Sequence, residues 1–173
     1  MDTRFKIPFI GLKEGKHQFE YTVDNTFFET NPYDEILGAQ IDVNLDFVKK
    51  SNFLELEFDA SEFLNVACDL TNERYDEAIQ TSMHLIVKFG DFYEDENEEV
   101  LIIPHSETEL DVSQIIYEML VLAVPIKKEH PGIADGTLQT DILEKLEELR
   151  PKEHSKSQET DPRWSKLKDL LDK

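Results

Sequence analysis

Ile79-Gln80-Thr81-Ser82-Met83-His84-Leu85-Ile86-Val87-Lys88-Phe89 puts an apolar or β-branched residue at every odd position and a polar one at every even position except Ile86. A period of two places alternate side chains on opposite faces of an extended chain, so the stretch predicts a strand with one buried and one wet face. The same alternation precedes it. Ile41, Val43, Leu45 and Phe47 are separated by Asp42, Asn44 and Asp46. Residues 53–58 are similar in character, and Leu64, Val66, Cys68 and Leu70 repeat it with Asn65 and Asp69 opposite. Lys49-Lys50-Ser51-Asn52 reads as a hairpin turn, and the mostly polar residues 71–77 turn the chain again. Strands at short spacing with polar turns argue for an antiparallel meander rather than βαβ units.

Two further strands are expected at the front, at 5–10 and 17–23, flanking 11–16. Pro8 suits an edge position because it cannot donate to a ladder, and Asn31-Pro32 marks a turn or short connecting helix. Residues 91–99 hold six acids in nine positions and read as a solvated loop. They lack the glycine and alternating ligand spacing of a calcium-binding helix–loop–helix. Residues 100–103 are a short buried strand stopped by Pro104.

From Asp111 the period lengthens. Asp111 or Ser113 can cap a helix over about 111–124 whose apolar face is Ile115, Ile116, Met119, Leu120, Leu122 and Ala123, and Pro125 ends or kinks it. Residues 138–149 place Leu138, Ile142, Leu143, Leu146 and Leu149 on a second stripe with an acidic opposite face. The fold class is therefore α+β: an antiparallel sheet, open or curled into a partial barrel, packed by one main helix. Residues 1–149 form the domain, 150–160 a polar flexible linker, and 161–173 a C-terminal helical segment. In that segment Asp161 is an N-cap and Pro162 sits at the first helical position. Trp164, the chain's one tryptophan, then shares a face with Leu167 and Leu171.

The chain carries 38 acids against 18 bases, a formal charge of −20 over 173 residues. Such a body is repelled by phosphate backbones. Residues 150–173 are the exception, with seven bases and five acids, so any RNA contact is expected there. A first stretch without an apolar core, a most apolar run too short to span a bilayer, and the single Cys68 together suggest the cytoplasm. No Gly-rich phosphate loop, CxxC, HExxH or GxSxG is present. The histidines at 17, 84, 105, 130 and 154 are scattered, and Cys68 falls in phase with buried strand residues. No catalytic residue, metal ligand set or cofactor is assigned.

Three features carry a family resemblance. Asp161-Pro162-Arg163-Trp164, followed by Leu167 and Leu170, is similar to the C-terminal DPRW signature of the large ribosomal RNA accumulation (YceD-like) family. Residues 111–118 with Leu122-Ala-Val-Pro125 and His130 resemble its central helix, and a strand reaching Cys68 is followed by a turn and a long alternating strand. The likeness covers roughly 60–173. It departs from the family at the paired cysteines that in many relatives look like a metal site. Thr71 stands where a second cysteine would fall after Cys68, and 126–140 have none. One thiolate cannot make a four-cysteine zinc site.

The resemblance implies a role in synthesis or accumulation of large-subunit ribosomal RNA. The favoured reading is a non-enzymatic protein-interaction adaptor that engages a protein partner through Asp161, Pro162, Arg163, Trp164, Leu167 and Leu171. The alternative is an RNA-binding assembly factor using the basic tail and Trp164 for stacking. A hydrolase built on paired carboxylates is the third class.

Overall fold

A computed structural model describes residues 3–30, 32–97 and 99–151. In chain order the elements are β1 (Lys6–Ile7), β2 (Gly15–Val23), α1 (Asn25–Thr30), β3 (Gly38–Lys49), β4 (Phe53–Ala67), β5 (Arg74–Gly90), β6 (Glu94–Asn97), β7 (Val100–Pro104), β8 (Leu110–Asp111), α2 (Ser113–Ala123), α3 (Pro131–Ala134) and α4 (Asp141–Leu149). The architecture is α+β. The chain divides into two compact units, Met1–Leu138 and Gln139–Lys173.

The alternating stretches set the first unit. Ile41, Val43, Leu45 and Phe47 of β3, Leu54, Leu56, Phe58 and Ala60 of β4, and Leu85 and Val87 of β5 all point to one face and are buried. The turn at 50–52 closes with Lys50 N–H donating to Phe53 O at 3.0 Å, which fixes β3 against β4 from Lys49↔Leu54 to Gly38↔Asn65. Because side chains alternate with period two, that register puts Ile41, Val43, Leu45 and Phe47 on the same side as Leu54, Leu56, Phe58 and Ala60. Phe5, Ile7, Phe9, Val112, Ile116, Met119 and Leu120 join the same core. The opposite face of β2 to β5 is mostly polar, with Val48, Phe53 and Ile86 half-buried on it and Phe63 exposed.

Several expectations are corrected. Residues 53–58 and 64–70 are not two strands: β4 runs unbroken for 15 residues, and β5 begins at Arg74, so the turn shrinks to 68–73. Residues 5–10 give only the two-residue β1, which pairs with β8, because turns of 3-10 helix at Thr3–Phe5 and Phe9–Gly11 bracket it. The acidic stretch contains an edge strand, β6, as well as a loop. The six-stranded sheet has the order β2-β3-β4-β5-β7-β6, and β7 lies parallel to β5 because the β6–β7 hairpin folds back to insert β7 between them. The meander is thus antiparallel through β5 and mixed beyond it, and the sheet stays open.

Neither Asp111 nor Ser113 is the N-cap of α2: Val112 holds that position without a side-chain bond, and Asp111, one residue earlier, closes a local turn with its Oδ1 accepting from Ser113 N at 3.0 Å and from Ser113 Oγ at 2.6 Å. Pro125 stops the helix, with Val124 already extended. Leu122, expected in the core, is 78% exposed, because it lies round the helix from Ile116 and Leu120. In the second unit α4 starts at Asp141, not Leu138, with Thr140 Oγ1 accepting from Leu143 N at 3.3 Å. The Leu138 N–H instead donates to Gly132 O at 2.8 Å within the first unit. Ile142, Leu146 and Leu149 are exposed.

Candidate functional site

The residues singled out for partner binding, Asp161, Pro162, Arg163, Trp164, Leu167 and Leu171, lie outside the described residues, as does the linker from 152 on. What the described residues show is a polar clasp at one end of the sheet and a carboxylate-rich outer face.

The clasp forms where β4 ends. Cys68 N–H donates to Glu73 O at 2.9 Å, and Asn72, at φ 59, donates to Cys68 O at 2.8 Å, closing a tight turn. The chain leaving α2 returns across this turn. Asp69 N–H donates to Lys128 O at 2.8 Å, and Lys128 N–H donates back to Asp69 Oδ2 at 2.8 Å. Lys128 is 9% exposed, and its ammonium lies 3.0 Å from Glu35 Oε2 and 3.4 Å from Asp69 Oδ1. A buried ammonium requires partners of this kind. Glu35 holds the Lys128 ammonium above its ordinary value against the opposing effect of burial. The Lys128 amide and ammonium hold the Asp69 carboxyl below its ordinary value.

Cys68 is buried in the core, as its phase suggests. Burial pushes its thiol up, but the Thr71 hydroxyl and the backbone N–H groups of His130, Leu70 and Thr71 outweigh it and hold the thiol below its ordinary value. The His130 N–H donates to Sγ at 3.4 Å. His130 Nδ1 accepts from Gly132 N at 2.9 Å, which leaves the ring proton on Nε2. Gly132 must be glycine: a Cβ there would sit 2.9 Å from His130 Nδ1, Leu138 Cβ and Thr137 Oγ1. The Tyr75 ring meets His130 edge-on at 5.4 Å, and among the described residues its buried hydroxyl makes no hydrogen bond of ordinary geometry, although Glu77 lies close enough to act on it. Burial raises the Tyr75 phenol far above its ordinary value, and the nearby Glu77 carboxylate adds to this.

A paired-cysteine metal site of the kind the resemblance suggests in relatives does not fit these groups. Thr71 is turned toward Cys68 as a hydrogen-bond donor and the returning segment brings Lys128, a cation. Among the described residues no group of three His, Cys, Asp or Glu could hold a metal ion. Strand phase had marked Cys68, and the resemblance had marked Thr71 and His130. Lys128, Tyr75 and Glu35 carried no signal, since their meeting depends on the return of the chain over 59 to 93 residues.

On the outer sheet face, rows of facing residues run Gln18–Asp46–Glu57–His84 and Glu20–Asn44–Asp59–Ser82 across β2 to β5. Asp42, Glu55 and Asp76 share this face. Lys16 Nζ pairs with Asp46 at 2.8 Å and Gln18 Nε2 donates to it at 2.8 Å, and together they hold its carboxyl below the ordinary value. His84, reaching across from β5, and Lys50 lie 3.4 and 3.7 Å from Glu55. Asp46 and Glu57 face each other directly, a like-charge pairing that destabilises a sheet on its own.

A family model for the large ribosomal RNA subunit accumulation protein YceD matches residues 56–171. The chain belongs to this family. The YceD match takes in most of β4, all of β5 to α4 and the DPRW segment, while β1 to β3 precede it. The family name ties its members to accumulation of large-subunit ribosomal RNA. No curated protein and no solved structure matches the chain. No helix among the described residues is long and apolar enough to cross a membrane.

Proposed function

We propose that this YceD family member is a non-enzymatic cytoplasmic adaptor that supports large-subunit ribosomal RNA accumulation by binding a protein. The observation that carries this reading is the outer face of the sheet, which no element among the described residues covers. Glu20, Asp42, Glu57, Asp59 and Asp76 are exposed on it, and Lys16 is drawn to Asp46. A nucleic acid approaching this face meets a field of its own sign, whereas a basic protein gains from it. Asp161, Pro162, Arg163, Trp164, Leu167 and Leu171 supply the second, apolar element of recognition in this proposal. A large aromatic is the residue type most enriched where binding energy concentrates.

The second reading, direct RNA binding, is favoured by the net positive charge of residues 150–173, with seven bases and five acids. One experiment separates them. Tagged full-length chain, Trp164→Ala, and a chain ending at 160 are used to capture proteins from nuclease-treated extract, and the same three are titrated with large-subunit ribosomal RNA fragments. The adaptor reading expects a protein captured despite nuclease and lost in both variants, with weak RNA binding throughout. Tight RNA binding that collapses with salt and is lost with the tail, without nuclease-resistant protein capture, would overturn it.

A further inference from the structure

The two ends of the sheet differ in a way that points to a partner. At one end stands β6, four residues of sequence Glu-Asp-Glu-Asn, a short edge blunted by charge. At the other stands β2, nine residues long, paired with β3 residue for residue from Gly15↔Lys49 to Val23↔Ile41 with no bulge. Among the described residues nothing bonds to the outer backbone edge of β2. Alternate residues of an antiparallel strand direct both N–H and C=O to that side, so the edge is a template for another strand. It carries no proline and no inward-pointing charge.

The side chains agree. On the core side His17, Phe19 and Tyr21 are only partly buried, in contrast to their fully covered neighbours Phe47, Leu45 and Val43 on β3. Phe19 and His17 reach Phe47 edge-on at 5.9 and 6.5 Å and leave their outer flanks open. The charge is also distinctive. In a chain of net −20, residues 13–23 hold two lysines, Lys13 and Lys16, against Glu14 and Glu20, and are neutral. A chain this acidic resists contact with its own copy everywhere except at a locally balanced surface.

We infer that β2 is a self-association edge, on which a second copy of this chain pairs its own β2 antiparallel about a two-fold axis at Gln18. In that register Lys16 faces the partner's Glu20 and Glu20 faces the partner's Lys16. Gln18 meets its own counterpart, and His17 faces the partner's Phe19. All polar residues of the seam stay on the outer sheet face and all aromatic ones on the core side. Moving the axis to Phe19 would set Lys16 against Thr22, and moving it to His17 would set Glu20 against Glu14, so charge selects Gln18. The contact is isologous and closes as a dimer.

Sedimentation velocity of the full-length chain from micromolar to submillimolar concentration tests this. The wild type dimerises. Lys16→Glu and Glu20→Lys each place like charges opposite twice per dimer and weaken it roughly tenfold or more. An equal mixture of the two variants restores association, because each then faces its opposite. Gln18→Cys cross-links 18 to 18 on mild oxidation, a bond that peptide mapping distinguishes from one through buried Cys68. Circular dichroism and melting verify folding, and Glu20→Lys with Gln18→Cys decide the matter if Lys16→Glu unfolds through loss of its Asp46 pair. A monomer at every concentration overturns the inference, as does a dimer indifferent to both charge reversals or a mixture no tighter than its components.

Discussion

Asp69 and Lys128 are bonded through main chain and side chain at once. Each backbone N–H finds an oxygen of the other residue at 2.8 Å, and the ammonium lies 3.4 Å from the carboxylate. The pair fastens the segment after α2 to the turn between β4 and β5. It also places the His130 N–H over Cys68 and the Gly132 N–H on the His130 ring. Removal of the charge at Asp69 therefore loosens the whole return of the chain.

The pH dependence follows from the sign of the Asp69 shift. Its carboxyl is held below its ordinary 3.8 in the folded chain, first by the Lys128 N–H and then by the Lys128 side chain. A depressed carboxyl contributes stability that is present above the unfolded value and is lost as pH falls through the folded one. Asp69→Asn keeps an oxygen for the Lys128 N–H and loses the charge. It should melt lower than wild type at neutral pH, and the gap should narrow as the pH falls below about 4. A gap independent of pH, in melts recorded from pH 7 down to pH 3, would show that the carboxylate charge is not what secures the segment.

Tyr75 gives the opposite kind of mutant. Among the described residues its buried hydroxyl makes no hydrogen bond of ordinary geometry, and an unsatisfied buried polar group costs about 1–3 kcal/mol. The ring, in contrast, packs against His130. Tyr75→Phe keeps the ring and should raise stability by about 1 kcal/mol, while Tyr75→Ala should lose about 3 kcal/mol or more. Urea denaturation of the two variants measures both signs. A loss of stability in Tyr75→Phe would mean that the hydroxyl is bonded in solution.

The sequence exposes some of this and hides the rest for definite reasons. The burial of Ile41, Val43, Leu45 and Phe47 was legible because period two leaves one choice of face. The parallel placement of β7 was not, since residues 100–103 are apolar at every position and any neighbour would suit them. The clasp was half legible: Cys68, Thr71 and His130 stood at motif positions, but Lys128 looked like any surface lysine. Leu122 shows the limit of a helical stripe, for one helix offers more apolar residues than the sheet beneath it can cover. Leu122→Gln should change stability by no more than about 0.5 kcal/mol, whereas Leu120→Ala, at a fully buried position, should cost about 2–5 kcal/mol. Equal effects in a denaturant series would contradict the orientation of α2.

Glu62 explains why β4 reads as two strands. It lies in the middle of β4 at a core-facing position, between Ile41 on β3 and Ile79 on β5. Those two neighbours are buried, yet Glu62 is exposed, and its φ is 107°. Burying an unpaired carboxylate between isoleucines costs more than straining one backbone angle, so the chain takes the strain and turns the side chain out. The interruption in alternation is therefore a local conformational break inside a continuous ladder, not a turn. Only glycine occupies that φ freely, and the strain for another residue is about 1–3 kcal/mol. Glu62→Gly should relieve it and, after the entropy that glycine loses on folding, stabilise the protein by about 1 kcal/mol. Glu62→Ala, which keeps a Cβ, should give no such gain. Thermal melts of the pair isolate the backbone contribution, because both variants remove the same carboxylate. Equal stabilisation in the two would assign the effect to charge and refute the strained angle.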